Sequence, residues 1–255
     1  MELSNLVVGD EERIQIVDKR FYLFNGDLYP SVTTILGVAK EGKQLREWQG
    51  KVGNEQAAQI LYDAGIKGTN VHNGVELLLM GKELDFSNYT MDEWRCLIAA
   101  SRFIKDYKVE PILIEATLKG SHTYNKVIRR YAGSCDLVCY ITEPRSLKRM
   151  LTVLDWKTSK SLHEAHDIQL LAYDEALAQT KEIVAEHWLV VQIGNKTKKG
   201  YTAHVVKKSN HDKLLRKWYL YNELWHMQNP NIKMRYQELP KHLKIEHLTK
   251  EGNKL

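Results

Sequence analysis

Apolar positions recur at helical spacing through much of the first hundred residues, turn dense and β-branched between residues 111 and 156, and return to helical spacing after residue 163. Two short aromatic runs flank Asn25-Gly26-Asp27 in RFYLFNGDLY (residues 20–29), and Asn-Gly between apolar runs predicts a small β-hairpin. After Pro30, Ser31 is placed to cap a helix over residues 32–38. Trp48, Val52, Ala57, Ile60 and Leu61 predict a helix over residues 45–64, which Gly65 is expected to end. A further helix follows Gly68-Thr69, with Val71, Val75, Leu78 and Leu79 as one stripe, and stops near Gly81. Residues 91–108 read as amphipathic helix through Trp94, Leu97, Ile98 and Ile104.

Residues 111–118, 127–131, 133–141 and 151–156 are short and rich in β-branched or aromatic side chains, which predicts a meander of about four strands. Helix is expected at 163–178, a closing pair of strands at 187–193 and 200–206, and a long last helix at 210–228. With no Pro/Ser/Gly-rich linker, one domain is expected: a hairpin and helical front end over residues 1–108, a sheet with helices over 109–228, and a basic tail over 229–255. The fold class is mixed α/β, of α+β type.

Composition changes little: 43% hydrophobic and 27% charged residues in 255 are ordinary globular values. Charge changes more. The net +5 is made of +9 over residues 196–255 against −4 over residues 1–195, so a basic segment adjoins an acidic body. Three cysteines (Cys96, Cys135, Cys139) are too few for a disulfide scaffold or a four-thiolate cluster, and buried reduced thiols are expected. No apolar run approaches the roughly 20 residues of a membrane span, and Glu2, Asp10, Glu11 and Glu12 are unlike a secretory or mitochondrial leader, so a cytoplasmic location is expected.

Two aspartates sit inside apolar strand sequence: Asp136 in GSCDLV and Asp155 in VLDWKTSK. Strand alternation points Asp155 and Lys157 to one face, and Leu154 and Trp156 to the other. Burying either charge alone costs several kcal/mol, so the pair holds a cation, a phosphate or a salt bridge. Gln169 and Tyr173 lie one helical turn apart, either as polar tips suited to phosphate contact or as part of an ordinary amphipathic face. His72 and Glu76 are likewise one turn apart, either facing a metal or simply packed and solvated.

Glu115, Gly133-x-x-Asp136, Asp155-x-Lys157 and Gln169-x-x-x-Tyr173, preceded by His72, match in type and order the PD-(D/E)XK nuclease superfamily, and the chain resembles its RecB-type exonuclease branch. YPSVTTIL (residues 29–36), Leu45-x-x-Trp48, Val52-Gly53-x-Glu55-x-Ala57 and Gly68-Thr69-x-x-His72-x-x-x-Glu76 are similar to phage-encoded exonucleases and the mitochondrial genome maintenance exonuclease. The resemblance covers residues 20–218 and implies a restriction-endonuclease-like core with a central mixed sheet. It departs from the family in residues 143–149 (EPRSLKR), a loop longer and more basic than a tight connection.

The resemblance implies a DNA exonuclease using Mg²⁺ or Mn²⁺. His72, Asp136, Asp155 and the Trp156 backbone carbonyl would be the ligands, and Lys157 would position the attacking water. Glu115 would be a further carboxylate of the site or an edge-strand charge; Gln169 and Tyr173 would orient the substrate phosphate or Lys157, and Glu76 would support His72. Lys160, Arg145, Lys148, Arg149, Lys198 and Lys199 are candidate DNA contacts, and Trp218 and Tyr219, beside Arg216 and Lys217, are candidate base-stacking aromatics. Single-stranded ends are the favoured substrate, with replication or recombination proteins as possible partners. Neither an iron–sulfur cluster nor an ATP motor is expected, because the cysteine set and the G-x-x-x-x-G-K-[ST] loop are missing. The alternatives are an endonuclease of the same fold and, less favoured, a non-catalytic nucleic-acid-binding module.

Overall fold

A computed structural model describes residues 13–16, 19–24, 27–39, 43–159 and 161–230. The aromatic runs form β2 (Lys19–Phe24) and β3 (Asp27–Pro30), paired antiparallel up to Phe24 opposite Asp27. Asn25 and Gly26, where the turn was expected, lie outside the described residues. A strand that the pattern did not predict, β1 (Arg13–Ile16), joins β2 to make a three-stranded sheet. Tyr22 and Phe24 pack this sheet on Ala132, and the Ser31 N–H donates to the Arg20 carbonyl while the Ser31 side chain caps α1 (Val32–Leu36) at the Thr34 N–H.

The expected break at Gly65 does not occur. Helix α2 (Lys43–Val52) ends instead at Gly53, whose φ of 91° only glycine adopts readily, and α3 (Asn54–Leu79) runs unbroken through Gly65 and Gly68. A Cβ at Gly65 would meet no other atom, and glycine's weak propensity alone does not stop the helix there. Helix α4 (Met91–Asp106) follows, started by a capping box between Thr90 and Glu93.

Strands β4 (Glu110–Tyr124), β5 (Val127–Thr142) and β6 (Arg149–Lys157) form an antiparallel meander. The two segments expected at 127–131 and 133–141 are one sixteen-residue strand, so three strands stand where about four were expected. Helix α5 (Glu164–Lys181) crosses over to β7 (His187–Ile193), which lies parallel to β6, and β8 (Tyr201–Val206) closes the mixed sheet in the order β4-β5-β6-β7-β8. Helix α6 (His211–Gln228) is the last described element.

The sheet buries both faces. Cys135, Val138, Val153, Trp188 and Val190 pack against α1, α5 and α6, while Leu137, Cys139, Leu154, Trp156 and Val191 pack against α3 and α4. The fold is therefore mixed α/β, a five-stranded mixed sheet between helices. Among the described residues, no helix is long and apolar enough to cross a membrane.

Candidate active site

The β5–β6 ladder ends at the pair Leu137–Leu154, and the next residues on the two strands are Asp136 and Asp155. Beyond that pair the Trp156 N–H donates to the Asp136 Oδ2 (2.8 Å) rather than to a strand carbonyl. The two carboxylates thus meet where the strands part, on elements whose other side chains are fixed by packing.

A second irregularity lies between β4 and β5. Ile114 packs toward α3 and α4 whereas Ala116 packs toward α5; across the ladder, Leu137 and Cys135 make the matching change. Strict alternation would keep residues two apart on one face, so the phase flips at Glu115 and Asp136 in both strands. Glu115 takes the left-handed φ of 47°, a conformation that costs a non-glycine residue about 1–3 kcal/mol and concentrates at functional sites. Its carboxylate and that of Asp136 are brought to His72 of α3: the His72 Nδ1 lies 3.5 Å from Asp136 Oδ2 and 4.0 Å from Glu115 Oε1. One donor atom from each of the three falls within a 4.8 Å span.

Asp155 and Lys157 share one face, as alternation requires, with Lys157 Nζ 2.6 Å from Asp155 Oδ2. Gln169 of α5 ties the pair together: its amide N–H₂ donates to Asp155 Oδ1 and to the Tyr173 hydroxyl (3.0 Å each), and its carbonyl accepts from Lys157 Nζ (3.3 Å). Tyr173 fits because Gly133 has no side chain; a Cβ there would sit 2.5 Å from the ring.

Burial opposes charge on every carboxylate, and the neighbours decide the outcome. Asp155 is pushed up to about 6, by burial and by the Asp136 charge against the pull of Lys157. Glu115 is pushed up to about 7, by burial and then by Asp136. Asp136 is held below the usual range despite its burial, since His72, Lys157 and the Trp156 N–H all favour its anion. For His72 burial works against the cation, but Asp136 outweighs it and raises the imidazole to about 9. Three crowded carboxylates of which two resist ionising form a site that a cation would relieve. A donor set of carboxylate oxygens and one imidazole, without thiolate, could hold a divalent cation.

The expected ligands are thus distributed differently from the expectation. His72 and Asp136 come together with Glu115, while the Asp155 oxygens face Lys157 and Gln169 beside them. Trp156 reaches the group through its N–H. Glu76 makes no hydrogen bond or ion pair with His72 among the described residues, and its charge is felt at Glu115. Sequence reasoning overlooked Ser134, whose hydroxyl donates to Glu115 Oε2 at 2.9 Å; it stood unremarked inside the Gly133-x-x-Asp136 motif.

Of the expected DNA contacts, Arg145, Lys148, Arg149, Lys198 and Lys199 are all exposed. Arg149 in addition makes two hydrogen bonds to Glu110 and lies over the Tyr140 ring, and Lys199 donates to Asp106. Lys160 lies outside the described residues, as do residues 231–255 of the basic tail. Trp218 is no base-stacking platform: it is fully buried against Tyr131, because the α6 stripe that carries it is the one facing the core. Tyr219 already stacks on His122.

No family model matches the chain, and no curated protein does. Among solved structures, that of SSO0001 is similar over 75% of this chain and 75% of its own, at 14% identity and a TM-score of 0.37, too distant to bear on the site.

Proposed function

We propose that the protein is a divalent-metal-dependent DNA exonuclease of PD-(D/E)XK type, acting by preference on single-stranded ends. The observation that carries this reading is the meeting of His72, Glu115 and Asp136 with the Asp155–Lys157 pair where β5 and β6 part. His72, Glu115 and Asp136 would hold Mg²⁺ or Mn²⁺, with Asp155 at their side. Such an ion supplies Lewis-acid chemistry, polarising a phosphoryl oxygen and acidifying a water.

The chain's own groups do the rest. Lys157 carries its charge on Nζ beside Asp155, where it offsets negative charge gathering on a phosphate. Gln169 bridges the Lys157 ammonium and the Asp155 carboxylate, and the Tyr173 hydroxyl accepts from the Gln169 amide. Arg145, Lys148 and Lys198 offer phosphate neutralisation at the surface.

Wild type, Asp155→Ala and Lys157→Ala are to be incubated with 5′- and 3′-labelled single- and double-stranded oligonucleotides and a sealed circle, in Mg²⁺, Mn²⁺ or EDTA. Metal-dependent release of mononucleotides or short oligomers from ends is expected, lost in both variants with circular dichroism unchanged. Cutting of the circle would make the protein an endonuclease. Salt-dependent DNA binding with no turnover in either metal would overturn the nuclease reading.

A further inference from the structure

We infer that Ser134 is a positioning residue for divalent-cation binding, holding the Glu115 carboxylate in the ligand group; the inference rests on the metal-site reading above. The Ser134 hydroxyl is the one hydrogen-bond donor to the Glu115 carboxylate among the described residues, at 2.9 Å to Oε2, and it leaves Oε1 turned toward His72. Two forces pull Glu115 out of that position. Its side chain is 30% exposed on a flexible three-torsion stem, so water competes for the carboxylate, and the buried Asp136 anion repels it. The left-handed backbone at Glu115 aims the stem at the site but does not fix the plane of the carboxylate. Ser134 is suited to fix it. It sits on β5 opposite Thr117, two residues from Asp136, on the strand segment whose phase flip presents Asp136 itself. One short segment of β5 therefore supplies a ligand and orients its partner across the ladder, which is the outer-shell arrangement that metal sites use to hold a carboxylate.

The test is Mn²⁺ binding to the metal-free protein, followed by the electron paramagnetic resonance of free Mn²⁺, for wild type, Ser134→Ala, Ser134→Thr and Asp136→Ala, with thermal unfolding as the check on folding. Ser134→Ala is expected to weaken Mn²⁺ binding about tenfold, and Ser134→Thr, which keeps the hydroxyl, to restore it to within roughly threefold. Asp136→Ala is expected to abolish it. Wild-type affinity in Ser134→Ala, together with loss in Asp136→Ala, overturns the role of Ser134 and leaves the site standing. Equal weakening in the alanine and threonine variants at an unchanged unfolding midpoint overturns the hydroxyl's role as well. Binding unaffected by Asp136→Ala, or no binding by the wild type, overturns the metal-site reading itself.

Discussion

Gly133 and Tyr173 show how single atoms decide the site. An alanine at 133 puts a methyl 2.5 Å from the tyrosine ring, so the ring must leave and Gln169 loses one of its partners. Overpacking of this kind costs about 1–3 kcal/mol; urea unfolding of Gly133→Ala should show that loss, along with reduced cleavage, and a variant as stable and active as wild type would refute the packing argument. Away from the site, His122 is buried against Tyr219 with its Nε2 3.7 Å from Glu223 Oε1, while Arg129 takes both Glu223 oxygens, Asn222 lies at Nδ1 and His226 is nearby on α6. Burial lowers the His122 pKa against the pull of Glu223. The unfolded chain therefore binds a proton that the folded chain refuses, and the associated stability, complete above pH of about 6.5, is lost as pH falls below it. Between pH 7.5 and 5 the thermal midpoint of wild type should fall relative to that of His122→Gln, a difference that cancels the raised Glu115, Asp155 and His72, which act in the opposite direction in both proteins; a difference that does not change with pH would remove His122 from the account.

At the scale of the element, two glycines in the α2–α3 segment should respond in opposite ways. Gly53 holds φ at 91°, so Gly53→Ala strains the break between the helices and should destabilise by about 1–3 kcal/mol. Gly65 is mid-helix with nothing within reach of a Cβ, so Gly65→Ala should stabilise by about 0.5–1 kcal/mol. Chemical denaturation of the two variants measures both, and a stabilising Gly53→Ala or a destabilising Gly65→Ala would contradict the observed helix boundaries. The long α3 that results carries His72 on the same rigid rod as Val71 and Val75, which are buried against α4 and the sheet.

For the molecule as a whole, the candidate metal group joins three elements, α3 through His72, β4 through Glu115 and β5 through Asp136. A ligand that binds only the folded form stabilises it, by about 2.7 kcal/mol at a hundred times its dissociation constant. Millimolar Mn²⁺ should thus raise the unfolding midpoint of wild type and leave that of His72→Ala unmoved. An equal rise in both would place the ion elsewhere.

Much of this molecule was legible in the chain itself. Periodicity marks α4, α5, α6 and the strand regions because burying one face demands it, and alternation sets Asp155 and Lys157 against Leu154 and Trp156. Asp136, Asp155, Lys157, Gln169 and Tyr173 stood out because polar groups interrupt apolar sequence only where something answers them. Tertiary contact alone decided the rest. The break between the helices falls at Gly53, held at φ 91°, and not at Gly65, a choice that two exposed glycines of equal propensity leave open in the sequence. Glu115 joins His72 and Asp136 through a backbone twist that violates alternation, the rule by which its direction would be read. Trp218 is buried and Arg149 already paired because which aromatic faces the core, and which cation finds a carboxylate, depend on elements far away in sequence.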